Sequence, residues 1–387
     1  MRYFLLYVIL FSCFILQAQT VSQDTSATRN QQRNAAQNIL NGTNSKGITL
    51  GAYAEVHYNQ PEALNGELDV HRIVLLMGYK FSDRVQFVTE IEYEHVKELY
   101  IEQAFLNYNL NRSFNIRGGL MLVPMGIVNE YHEPTTFNGV ERPFVDKSIV
   151  PSTWREIGIG LTGTFDDLSM RYQAYLFNGF ASVNDDKVLG GSNGLRNGRQ
   201  KGAESIINSP NLSFKIDYYG LPGLRIGASG YFGRTQAEND LQSIAGSDVG
   251  ISMFGLDARY IRKRFSARGQ YIHALISDSN LYNSLNAADL GSELRGWYLE
   301  GAYNLLPTSK QQRLDAFVRY EDYDTHAATA EAGIDKNSAF DRTALTFGLS
   351  YHVALGAVVK ADYQILDNAF QGSTLPNQFN FGFGIWF

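Results

Sequence analysis

Residues 378–387 read Gln-Phe-Asn-Phe-Gly-Phe-Gly-Ile-Trp-Phe, and this C-terminal stretch decides the fold class. Phe379, Phe381, Phe383, Ile385 and Phe387 recur at every second position, with Asn380, Gly382, Gly384 and Trp386 between them. Successive side chains of a strand point to opposite faces, so one face is continuously apolar and the other small or polar. A wall with lipid outside and water inside requires this division.

The same alternation runs through the chain from Gly47 onward. Gln86, Glu90 and Glu92 share one face over residues 85–93, and Arg171, Gln173 and Tyr175 over residues 170–176. Sixteen such segments can be counted, near 47–58, 68–80, 84–95, 99–110, 113–123, 155–165, 168–179, 211–219, 223–233, 250–261, 265–276, 293–305, 311–322, 341–352, 356–366 and 377–387. Connections alternate between short (111–112, 166–167) and long (124–154, 180–210). Short turns on one side and long loops on the other predict an all-β, antiparallel transmembrane β-barrel of about 16 strands, with both termini in the periplasm. Tyr218, Tyr219, Tyr260, Tyr303, Trp386 and Phe387 would form the periplasmic aromatic girdle, and Tyr93, Phe177, Phe180 and Tyr231 the outer one.

Bulk properties fit. After the first 20 residues no apolar run approaches the roughly 20 residues that a membrane helix needs. The net charge of −6 argues against nucleic acid as a partner, which would require a basic face. Arg2, the apolar run 4–15 and Leu16-Gln17-Ala18 read as a signal peptide over residues 1–18. Its removal takes away Arg2 and no acid, so −6 becomes −7, and it also removes Cys13, the single cysteine. A lipoprotein box at Cys13 is the weighed alternative, disfavoured because Phe-Ile-Leu follows it. Residues 19–46, rich in Gln, Asn, Ser and Thr, read as a flexible periplasmic extension with room for a short helix at 34–40. Residues 47–387 would then be the barrel.

Residues 118–163 are the most distinctive. They contain Gly-Gly-Leu-Met-Leu-Val-Pro-Met-Gly, then Asn129-Glu130-Tyr131-His132-Glu133-Pro134, Gly139-Val140-Glu141-Arg142-Pro143, and Ile149-Val150-Pro151-Ser152-Thr153-Trp154-Arg155-Glu156. This stretch resembles the phosphate-selective porin O and P family, in particular members from Bacteroidetes-type bacteria. The resemblance implies an outer-membrane porin, a homotrimer in the lipid of that membrane, passing small hydrophilic solutes and in some members phosphate. It also implies that the third outer loop, residues 124–154, folds inward as the constriction. Four prolines (Pro124, Pro134, Pro143, Pro151) restrict that loop, and a loop of this length is commonly functional.

The charges give mixed guidance. Expected lumen-lining residues are Arg117, Arg171, Lys215, Asp217, Asp257, Arg259, Arg268, Arg319, Lys360 and Asp362, with opposite signs often two positions apart and so cancelling. The expected constriction carries Glu130, His132, Glu133, Glu141 and Asp146 against Arg142 and Lys147. On this count the pore is nonselective or mildly cation-preferring. His132 between two glutamates has a spacing that suits a divalent cation, and His95 near Glu94 and Glu98 an acid–histidine pair. Rim and loop charges are usually just solvated, and no serine has a credible His and Asp/Asn partner, so neither catalysis nor a cofactor or metal is expected. The remaining alternative is an occluded barrel serving as partner of a surface lipoprotein.

Overall fold

The computed structural model describes residues 34–42, 46–372 and 374–387. The expected signal peptide lies outside these residues. Sixteen strands close into a barrel: β1 (Gly47–Pro61), β2 (Glu67–Lys80), β3 (Val85–Glu94), β4 (Glu98–Asn111), β5 (Phe114–Leu122), β6 (Arg155–Phe165), β7 (Met170–Phe177), β10 (Asn211–Leu221), β11 (Leu224–Arg234), β12 (Gly250–Arg262), β13 (Phe265–Ser277), β14 (Glu293–Asn304), β15 (Arg313–Ala328), β16 (Asp341–Ala354), β17 (Ala357–Asn368) and β18 (Gln378–Trp386). Between β7 and β10 a small hairpin, β8 (Val183–Asn184) and β9 (Lys187–Val188), stands apart from the wall. Each wall strand pairs antiparallel with its neighbours, and β18 closes the ring against β1 through Ala54↔Ile385 and Tyr58↔Phe381. Closure leaves no sheet edge, which a strand wall in lipid demands.

The two faces separate as the alternation requires. Leu75, Leu256, Leu299 and Phe381 are exposed on the outside, whereas Lys215, Arg319 and Asn380 are fully buried inside. The girdle expectation holds in part. Tyr218, Tyr303 and Phe387 are exposed beside the short turns, and Tyr93 at the far end. Phe177, Phe180 and Tyr231 are instead wholly buried. Phe180 stacks on Trp154 at 4.4 Å between ring centres and Tyr231 lies 4.6 Å from it. Together with Leu189, Leu195, Leu290 and Tyr282 of helix α3 (Ser279–Asn286), they form an apolar core in the outer half. Alternation assigned these aromatics to a strand end but could not say that outer loops would fold over them.

Two segments occupy the lumen. Residues 123–154 turn inward after β5 and carry a one-turn helix, α2 (Val145–Ser148). Below them lies α1 (Ala35–Gly42), part of the stretch expected to be a flexible extension. The short helix allowed for at 34–40 is present, but over residues 34–41 it is packed in place rather than free: Asn34, Ala35, Ala36 and Ile39 are buried. Asn34 caps the helix, its Oδ1 accepting from the Gln37 amide at 2.9 Å. At the other end Gln86 on β3 donates to the Leu40 carbonyl at 2.9 Å. One apolar stripe suffices for this helix because the lumen wall supplies the rest of the burial, which the sequence does not show.

Candidate functional site

The lumen-crossing segment is built outward from its base. Asn129 clamps the two ends together, donating to the carbonyls of Val123 (2.7 Å) and Trp154 (2.9 Å) and accepting from the Trp154 amide (2.8 Å). From there the segment bonds to opposite sides of the wall. On one side Gln173 of β7 donates to Glu130 at 2.6 Å, and Lys215 of β10 lies 3.5 Å from the same carboxylate while donating to the Gly126 carbonyl. On the other, the amides of Val140 and Val145 donate to Asp362 of β17 (2.7 Å) and Glu321 of β15 (3.1 Å). Glu141 meets His57 of β1 at 3.2 Å and accepts from Asn59 at 2.9 Å.

Tyr131 sits at the centre. Its hydroxyl accepts from Arg171 (2.9 Å) and Arg225 (3.0 Å), and Arg259 lies over its ring at 4.5 Å. Burial raises the phenol, but these three arginines outweigh it and hold the hydroxyl below its usual range. Asp146 is the reverse case: burial pushes its carboxyl up to about 7, and the nearby charge of Glu321 adds to this. Only Gln270 answers it, at 3.0 Å, and its Oδ2 has no hydrogen-bond partner among the described residues.

The acids of the segment are therefore anchors. Glu130, Glu133 and Asp146 are buried against the wall or against α1, whose Ala35 amide donates to Glu133. Glu141 and Arg142 are half-exposed and Lys147 is exposed, so they are the charges this segment offers to solvent. The expectation of an acidic constriction counted formal charges and could not see which were consumed.

Cancellation two positions along one strand holds for Arg319 and Glu321 (2.9 Å) and for Arg313 and Asp315 (2.5 Å), but other lumen charges pair across strands. Lys215 meets Asp257 at 3.3 Å across two strands, rather than Asp217. Asp217 binds Arg225 (2.6 Å) and Arg171 (3.0 Å); Glu300 binds Arg268 (2.9 Å) and Arg319 (3.2 Å). Same-face neighbours along a strand are about 7 Å apart, whereas cross-strand partners approach to about 5 Å. Lys360 lies 3.8 Å over the Phe137 ring instead of pairing with Asp362, and Arg117 donates to Tyr175 at 3.2 Å. The spacing of His132 between Glu130 and Glu133 does not bring those three side chains together. His132 turns to Glu102 of β4, 3.3 Å away.

Beneath the segment lie two cavities open toward the short turns. One, of about 290 Å³, is lined by Arg259, Lys263, Arg264, Arg268 and Arg313 against Glu300 and Asp315. The other, of about 630 Å³, is lined by Arg112, Arg117, Arg171 and Arg225 against Asp166. Above the segment a basic group escaped the sequence reading: Arg196 and Arg199 both donate to the Ser152 carbonyl at 2.7 Å, and Arg155 and Lys201 flank the Tyr100 ring. Burial, and then the charge of Arg196 and Arg155, depress Arg199 below its usual range. The signal was present as three basic residues within Arg196-Asn197-Gly198-Arg199-Gln200-Lys201, on a loop that alternation does not address.

A family model described as phosphate-selective porin O and P matches residues 47–377. An uncharacterized protein of Aquifex aeolicus (strain VF5) is 34% identical over 342 residues, covering 82% of this chain and 75% of that protein. Among solved structures, the outer membrane channel DcaP of Acinetobacter baumannii is similar with a TM-score of 0.61 at 12% identity, covering 89% of this chain and 98% of that one. Salmonella typhi OmpF, in complex with daunomycin, has a TM-score of 0.60 at 12% identity, with 88% and 98% covered.

Proposed function

Because this chain belongs to the phosphate-selective porin O and P family and is an outer-membrane barrel of the porin type, we propose that small hydrophilic solutes diffuse through it passively, that residues 124–154 form the constriction, and that small anions pass in preference to cations. The observation that carries the anion preference is the lining of the two cavities, five basic against two acidic side chains in one and four against one in the other. Pairing within the lumen consumes most acids, while Arg196, Arg199 and Lys201 stand above the segment. A low-dielectric wall strengthens an uncancelled charge, so such linings raise the local concentration of anions although the whole chain is negative. Phosphate, small carboxylates and chloride are all candidates. Arg117, Arg171, Arg259 and Arg268 are the lumen residues assigned to this preference, and Lys215, Arg319, Lys360, Asp217, Asp257 and Asp362 to holding the wall and segment together.

A second reading, a barrel closed by its own loops and acting with a protein partner, draws on the apolar core around Trp154, which covers part of the outer half. Planar-bilayer recording separates the two. A stable ohmic conductance with a reversal potential favouring chloride and phosphate over potassium supports the channel with anion preference. A cation-selective reversal potential overturns the preference, and silence across preparations overturns the channel. A trimer, by analogy with the trimer form described for Vibrio cholerae OmpT, is part of the proposal and is tested by mass in detergent.

A further inference from the structure

Where the lumen-crossing segment meets β3 and β4, two buried carboxylates lie against one histidine. Glu90 of β3, Glu102 of β4 and His132 of the segment are almost wholly buried, as is Tyr53 of β1 between them. Nearby Arg72 is already engaged with Glu55 at 2.5 Å and faces Glu92 at 3.6 Å. Glu90 Oε2 accepts from Gln103 at 2.6 Å, and beyond that neutral bond Glu90 and Glu102 share one imidazole and one phenol. Two buried carboxylates cannot both remain ionised on such terms without a further positive charge.

We propose that a divalent transition-metal ion of the zinc class binds between Glu90, Glu102 and His132, fastening the segment to the wall. One donor atom from each residue lies within 4.8 Å of the others. Glu102 Oε2 is 3.3 Å and Glu90 Oε1 3.9 Å from His132 Nε2. A tetrahedral site with bonds of about 2.0 Å has donors roughly 3.3 Å apart, so a small contraction completes it. The imidazole of His132 is already oriented for coordination. Its Nδ1 donates to the Asn129 carbonyl at 3.1 Å, the outer bond that metal-bound histidines make, and Nε2 faces the carboxylates. The Tyr53 hydroxyl, 3.1 Å from Nε2, stands where a fourth ligand belongs. Independently of these bonds, Glu102 Oε1 is buried with no hydrogen-bond partner among the described residues. The mixed nitrogen and oxygen set, with few donors, suits zinc or cobalt(II) and not calcium, which takes six to eight oxygens.

The site is enclosed, so the ion enters as the barrel folds. The test refolds the full chain into detergent micelles with zinc, in a H71A/H95A background that removes the separate rim cluster of Asp69, His71 and His95. After desalting, about one zinc per folded chain is expected, and E102Q and H132N should each lower retention at least roughly tenfold. Cobalt(II) in place of zinc should give visible absorption bands of a four- or five-coordinate site in the background chain. Less than about a tenth of an equivalent of zinc in that folded background overturns the proposal, and so does unchanged retention in folded E102Q or H132N. Should neither variant fold, the background chain decides alone: metal-free folding or a colourless cobalt form overturns the proposal, and a bound, coloured ion supports it.

Discussion

The side chain of Ile39 fills the space that a Cβ on Gly78 would occupy: an added carbon there would lie 2.1 Å from Ile39 Cγ2. Helix α1 docks against β1–β3 at this bare point of the wall, and the docking buries its apolar stripe. Burial of one isoleucine contributes about 1.5–3 kcal/mol, a substantial part of the cost of nucleating so short a helix. Gly78→Leu should release α1 while leaving the strand ladder intact. With a reporter Ala36→Cys, at a position 5% exposed, maleimide labelling of the folded barrel should accelerate at least about tenfold in the Gly78→Leu chain. Equal labelling rates would show that the helix is held by something else.

Asp146 should give stability an unusual pH dependence. Its folded value is near 7, above the ordinary aspartate value of about 3.9. Between these limits the folded chain keeps a proton that the unfolded chain has lost, so this group's contribution falls as pH rises, by up to ~1.4 kcal/mol per pH unit. Asp146→Asn should flatten that slope and raise the unfolding midpoint at pH 8 relative to the native chain, with little gain at pH 4. Parallel pH profiles of urea unfolding in micelles for the two chains would sink the assignment.

Arg196 and Arg199 converge on one carbonyl oxygen at the outer mouth, with no carboxylate within 4 Å of either among the described residues. Neutralising both as Arg196→Gln and Arg199→Gln should shift the reversal potential under a salt gradient toward potassium and reduce the rate of anion entry at low salt more than at high salt. A selectivity that does not move would place the filter below the segment.

Shortening residues 135–142 with a glycine linker removes the bonds to Asp362, Glu300 and His57 while sparing the Asn129 clamp. Single-channel conductance should rise severalfold. If conductance is unchanged, the segment is not the narrowest point.

The outer face offers a control on orientation. Leu256 of β12 is 61% exposed, at mid-strand. Arginine there should cost ~2–4 kcal/mol in folding into bilayers, as expected near the midplane, against about 0–1 kcal/mol close to either interface. A cost below about 1 kcal/mol would mean that this face does not meet lipid.

Alternation between residues 47 and 387 carried the barrel, its strand number and the sorting of long and short connections, because period-two patterning is a local property that each strand displays by itself. The extra length of β15, which runs to Ala328, and the inward aromatics Phe177, Phe180 and Tyr231 were not legible, since both depend on which loop packs over the strand end. Pairing was likewise beyond the sequence. Lys215 and Asp217 are neighbours on one face, yet each finds its counter-charge on another strand, a matter of register and of ring closure. Only the tertiary structure decided that Glu130, Glu133 and Asp146 would be buried as anchors, that α1 would enter the lumen, that basic side chains would outnumber acids in the cavities below the segment, and that Arg196 and Arg199 would meet above it. Such facts rest on distances between residues tens or hundreds of positions apart, which no local pattern encodes.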